Sequence, residues 1–321
     1  MKIVILTLVS CIPMLHPIQA ELPAKKTSSN SRVLTPDSTL PYYGYENKIT
    51  VKRLRLTTGV ALEYAETGKS HGTPVIFLHG FTDSWKSYKS VATTLSSDVR
   101  ALFISLRGHG ESDKPATGYA PKNFTADILA FMDQLNIPSA VIVGHSMGAT
   151  IAQRFAIDHS KRVNGVVLAG SFATFRDNKS VIEMSEYLNS LKAAPDTAFI
   201  RIFQQSTIVK FVAPSYIDTI IAESSKLPGH VWKNVAKQML SADLEPELSR
   251  IQVPTLVLWG NRDSFCQKQD QDKLLAAIPH AVFREYNGTG HAIHWEESAK
   301  FVNDLNEFLR GLQGLQGISP E

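Results

Sequence analysis

Gly144-His145-Ser146-Met147-Gly148 follows a short apolar run, Ala140 to Val143, and precedes a helix-like stretch, Ala149 to Ile157. A serine framed by glycines at the junction of a strand and a helix is the pattern of a nucleophile elbow. The turn is so tight that the residues two before and two after the serine must be small, and only glycine tolerates such close approach together with positive φ. It lifts the hydroxyl above the sheet edge and leaves the next backbone N–H, on Met147, free to face a developing oxyanion. Ser146 is therefore read as an activated nucleophile.

Working outward, short apolar runs at Val75 to Leu78, Ala101 to Leu106, Ala140 to Val143, Val163 to Leu168, Pro254 to Leu258 and Ala281 to Tyr286 read as buried strands. Ahead of them, Val51 to Leu56 and Val60 to Thr67 alternate around Thr57-Thr58-Gly59, as an antiparallel hairpin does. Helical stretches fall between the runs: Tyr88 to Leu95, Asn123 to Leu135, Ala149 to Asp158, Gln267 to Ala277 and Glu296 to Leu309. This alternation predicts an α/β fold with a mostly parallel, helix-covered central sheet. Ligands of such sheets sit beyond the carboxyl ends of the strands. From Phe172 to Ser249 the alternation stops, and four helix-like stretches, Val181 to Leu191, Ala198 to Gln205, Pro214 to Ser225 and Val231 to Ser241, replace it. An excursion that leaves one strand end and returns at the next would lie over the site, so 172–249 is expected to be a helical cap inserted between two parts of the core, 41–171 and 250–310.

A serine hydroxyl needs a base, usually a histidine oriented by a carboxylate. His291, in Gly288-Thr289-Gly290-His291-Ala292-Ile293-His294, falls in a glycine loop after the last strand and is taken as the base in preference to His294. Asp263, just past the strand Leu256-Val257-Leu258-Trp259-Gly260, is the expected carboxylate. A second oxyanion donor is expected from the loop after an earlier strand, where His79-Gly80-Phe81 offers the Phe81 N–H beside that of Met147. His79 reads as a buttress of that loop and His145 as a packing or pocket-lining group. No spacing of His, Cys, Asp and Glu suggests a metal site, and no cofactor motif is present.

The chain has 321 residues, 43% hydrophobic and 20% charged, enough for one sizeable core. A net charge of +3 without a Lys/Arg cluster gives no argument for nucleic acid. Residues 1–20 resemble a short secretory signal peptide, too short to span a membrane, ending in Pro17-Ile18-Gln19-Ala20. The expected location is thus periplasmic or secreted. The alternative is a lipid anchor at Cys11, within Leu8-Val9-Ser10-Cys11. Removal of 1–20 would leave Cys266 alone, without an internal disulfide. Residues 21–40 read as a disordered leader and 311–321 as a flexible tail of low core-forming capacity.

With these pieces in order, the chain resembles the α/β-hydrolase superfamily over roughly Val51 to Arg310. The resembling segments are His79-Gly80-Phe81, Arg107-Gly108-His109-Gly110, the elbow, Gly260-Asn261-Arg262-Asp263 and Gly290-His291. They look most like the esterase, lactonase and cofactor-free perhydrolase branch with a helical cap. The resemblance implies a serine hydrolase acting on a small or medium carboxylic ester or lactone through an acyl-enzyme. Some members take the acid from the preceding strand end, here near Ser171 to Asp177. The alternatives are a carbon–carbon bond hydrolase of vinylogous diketone acids, which uses the same triad, or a receptor that keeps the triad as a binding pocket. Trp85, His145, Phe172 and Trp232, with Phe81 and Met147, are the candidate substrate-lining residues.

Overall fold

The computed structural model describes residues 48–316. The expected signal peptide, Cys11 and the leader lie outside them. Among the described residues eight strands form one sheet: β1 Thr50–Arg55, β2 Ala61–Gly68, β3 Thr73–Leu78, β4 Val99–Ile104, β5 Ala140–His145, β6 Val163–Ala169, β7 Thr255–Gly260 and β8 Val282–Tyr286. Their spatial order is β1-β2-β4-β3-β5-β6-β7-β8. The first two pairings, β1 with β2 and β2 with β4, are antiparallel, and the rest are parallel.

Period-two alternation sends successive side chains of each strand to opposite faces. In β3, Val75 and Phe77 join one buried cluster, while Ile76 and Leu78 join the other. Helices α1 Lys89–Thr94 and α10 Ser298–Gln316 cover the Phe77 face, the latter through Phe301, Leu305 and Leu309. Helices α2 Pro121–Gln134, α3 Met147–Asp158 and α8 Lys268–Ala277 cover the other, through side chains such as Phe124, Phe155 and Leu274. Between β6 and β7 lie four helices, α4 Lys179–Ser190, α5 Thr197–Ser206, α6 Pro214–Ser224 and α7 Gly229–Leu240. A single turn, α9 Ile293–Glu296, precedes α10. Helix α10 continues to Gln316 and buries Leu312, so the chain stays ordered past Arg310, where the glycine repeat suggested a tail. The reason is amphipathic: Leu305, Leu309 and Leu312 share one face, which outweighs the intervening glycines. Among the described residues, no helix is long and apolar enough to cross a membrane.

The chain leaves β3 for β4 on one side and then crosses to β5 on the other. The carboxyl ends of β3 and β5 therefore flank the point where the winding reverses, which is where open α/β sheets form their ligand crevice.

Candidate active site

Ser146 stands between β5 and α3 with φ 53° and ψ −116°, a strained conformation for a residue with a side chain. The close packing that forces it is visible at the flanking glycines. A Cβ on Gly148 would lie 2.1 Å from the Leu78 carbonyl oxygen, and one on Gly144 would lie 2.3 Å from that of Gly148. Ser146 itself donates its N–H to Ala169 O at 2.9 Å, which fixes the elbow to β6.

His291 follows β8 in the glycine loop and Asp263 follows β7. Their side chains meet, with His291 Nδ1 2.7 Å from Asp263 Oδ2. The other carboxylate oxygen, Oδ1, accepts the backbone N–H groups of Phe265 at 2.8 Å and Cys266 at 2.9 Å. Asp263 is thus held from both sides, and its bond to Nδ1 puts that proton on Nδ1 and leaves Nε2 as the basic nitrogen. Ser146 and His291 line the same cavity. Asp263, rather than a carboxylate between Ser171 and Asp177, is the one bonded to His291.

The Phe81 and Met147 residues also line this cavity. Met147 is the first residue of α3, so its N–H precedes the helical ladder. Among the described residues, neither its N–H nor that of Phe81 has a protein acceptor. Gly80 allows the loop its approach, since a Cβ there would stand 2.8 Å from His145 Nδ1.

The remaining histidines support the loops. His79 Nε2 accepts the Leu106 N–H at 3.0 Å while Nδ1 donates to Gly80 O at 2.8 Å, which joins the turns after β3 and β4 as a buttress would. Next to the latter, Arg107 pairs with Asp127 of α2 through two nitrogens at 2.6 Å. His145 lines the cavity but donates Nε2–H to the carbonyl of His291 at 3.0 Å, so it ties the elbow to the histidine loop. Burial holds the imidazoles of His79 and His145 well below their ordinary pKa, and that of His294 at about 3. All three are therefore neutral. His294 packs on Tyr88 and His145, with both ring nitrogens unpartnered among the described residues, and is not among the cavity's lining residues.

Phe172 lines the cavity as expected. Trp85 and Trp232 do not. Trp85 lies in a 3-10 turn with its ring in the apolar cluster on the Phe77 face. Trp232 is fully buried in α7, edge-on to Phe81 at 5.3 Å, and so packs against the turn after β3. Residues that no motif marks add much of the wall, among them Phe175, Met184, Phe203, Val235 and Met239 from the excursion, Phe265 after β7, and the polar groups Asp83, Gln204 and Thr207. Asp83 is fully buried, and burial pushes its carboxyl up to about 7, against the opposing pull of Gln204 and His291. Its only sequence signal is position, a carboxylate just after the His-Gly-Phe turn.

With the geometry in place, comparison with known proteins gives the family. The model of the alpha/beta hydrolase fold matches residues 73–298, and the chain belongs to this family. Among its relatives is a 2-hydroxy-6-oxononadienedioate/2-hydroxy-6-oxononatrienedioate hydrolase of Paraburkholderia phymatum, 26% identical over 78% of this chain and 92% of that protein. Another is a 3-oxoadipate enol-lactonase of Acinetobacter baylyi, 24% identical over 84% of this chain and 99% of that one. An esterase from Exiguobacterium antarcticum superposes with a TM-score of 0.74 at 23% identity, covering 81% of this chain and all of its own. The chain is a hydrolase of this fold.

Proposed function

We propose that the protein is a serine hydrolase of small or medium carboxylic esters or lactones. Ser146 Oγ attacks the acyl carbonyl while His291 Nε2 takes its proton, and the Phe81 and Met147 N–H groups receive the oxyanion. His291 then protonates the leaving alcohol, and a water activated by the same nitrogen releases the acid. Asp263 holds the tautomer and stabilises the imidazolium.

One observation carries the reading: an Asp263-oriented His291 opens into a cavity that also holds the Ser146 elbow and, among the described residues, has no lysine or arginine in its wall. The named substrates of the first relative are dioates, which carry two carboxylates at neutral pH, and burying a carboxylate without a cationic partner is costly. The wall here is mainly aromatic and aliphatic, and its carboxyl, Asp83, gives an anion no cationic partner. This favours an uncharged acyl group. The carbon–carbon hydrolase reading is supported by the similarity to such enzymes and uses the same triad.

Turnover of activated esters of graded acyl length, enol-lactones and vinylogous diketone acids separates these readings, and no turnover of any would leave a receptor. Ser146→Ala is expected to remove at least about two decades of activity. A fluorophosphonate should modify Ser146 alone. Wild-type turnover in the alanine variant, or labelling elsewhere, would refute the assignment.

A further inference from the structure

We propose that Gln204, carried by the helical excursion, is a positioning residue for the oxyanion hole: it holds the Gly80–Asp83 loop in the conformation that presents the Phe81 N–H. The inference rests on the hydrolase reading above and adds a group that acts through the loop rather than on substrate.

Three observations converge. First, the loop is strained where it matters. Thr82, directly after Phe81, has φ 70°, a left-handed conformation that is a true outlier for a β-branched residue. Such a conformation is costly and persists only when its surroundings enforce it. Second, what enforces it comes from the excursion. Near the end of α5, the Gln204 amide nitrogen lies 3.0 Å from Thr82 Oγ1, 3.2 Å from Asp83 Oδ1 and 2.9 Å from Ser224 Oγ of α6. Thr82 Oγ1 and Ser224 Oγ are 3.1 Å apart, and Ser224 donates to Ile220 O at 3.0 Å. All four side chains are buried, so each lost bond would leave a polar group unsatisfied. Third, the same stretch holds the other catalytic loop. The Thr207 carbonyl accepts the N–H of Ala292, beside His291, at 3.0 Å. Glu296 accepts Val209 N–H at 3.1 Å and Lys210 N–H at 2.6 Å, and its other oxygen accepts Gly290 N–H at 2.9 Å. The end of α5 and the turn after it therefore register the oxyanion loop against the histidine loop. Without Gln204 the Thr82 backbone would relax towards ordinary φ and turn the adjoining Phe81 N–H away from the oxyanion.

The test is steady-state kinetics on a short-chain activated ester for Gln204→Ala, Gln204→Met, Thr82→Gly and the pairs with Thr82→Gly. Losing one oxyanion donor costs about 10²–10³ in kcat, so a displaced one should lower kcat by up to about 10²-fold while KM stays within a few-fold. Gln204→Met keeps the length and packing and so separates a lost hydrogen bond from a collapsed cap. Glycine accepts φ 70° unaided, so in the Thr82→Gly background the Gln204 variants should lose much less, a non-additivity that a merely structural role would not give. A trifluoromethyl ketone, which forms an oxyanion on Ser146, should weaken in parallel with kcat. Wild-type kcat in both folded Gln204 variants, or strictly additive losses with Thr82→Gly, would overturn the proposal. Ser146→Ala in the same assay keeps the two claims apart, since an inactive serine variant beside unaffected Gln204 variants would sink this inference alone.

Discussion

At the scale of single residues, Asp83 couples the site to pH. Among the described residues its carboxyl accepts a hydrogen bond from Gln204, and burial raises its pKa from the ordinary 3.8 to about 7, outweighing the pull of Gln204 and of the His291 charge. The sign follows from linkage: the folded state binds a proton more tightly than the unfolded chain, so this group's contribution is fully present below about pH 4. It is lost as pH rises towards 7, where the fold must bury an anion. Asp83→Asn keeps an acceptor for Gln204 and removes the charge. The variant should therefore melt several degrees above the parent at pH 8, with little difference at pH 4. Thermal melts across that range check this, and a constant offset would mean that Asp83 is not ionising inside the fold.

At the scale of elements, the strands and helices were largely legible because their signals are local. Period-two runs, helical spacing and glycine turns come from neighbours in sequence, and the four helices of the excursion fall within a few residues of their expected bounds. The elbow was legible for a stronger reason, because its glycines answer to contacts that no other residue fits. Two glycines separate this from mere flexibility. Gly59, in the β1–β2 turn, has φ 84° and open space around it, so Gly59→Ala should cost about 1–2 kcal/mol. At Gly148 a methyl would meet the backbone of Leu78 and His79 at 2.1 to 2.7 Å, and backbone cannot step aside. Gly148→Ala should cost more than about 4 kcal/mol or prevent folding. Urea melts of the pair decide it, and similar midpoints would show that α3 shifts away from β3 without penalty.

For the molecule as a whole, the cavity is where the sequence ran out. Its wall draws on segments as far apart as Phe81, Met184, Met239 and Phe265, and an aromatic or aliphatic residue reads the same in a core as in a pocket. Trp85 and Trp232 looked like lining residues because size and apolarity were the only signal available, while Asp83 and Gln204 gain their meaning from a contact across the chain. The two outcomes lead to opposite expectations for substrate choice. Met239, on α7, faces the cavity, so Met239→Ala enlarges the acyl space directly. A methylene in an apolar pocket discriminates about 10-fold or more, so the ratio of kcat/KM for octanoyl over butyryl esters should rise by about that factor. Trp232 reaches substrate only through Phe81 and the packing behind it, near Phe199 and Phe203. Trp232→Ala should lower kcat for both esters alike and leave their ratio unchanged. The same ester series run on both variants tests the placement of the wall, and it fails if Trp232→Ala moves the chain-length preference while Met239→Ala does not.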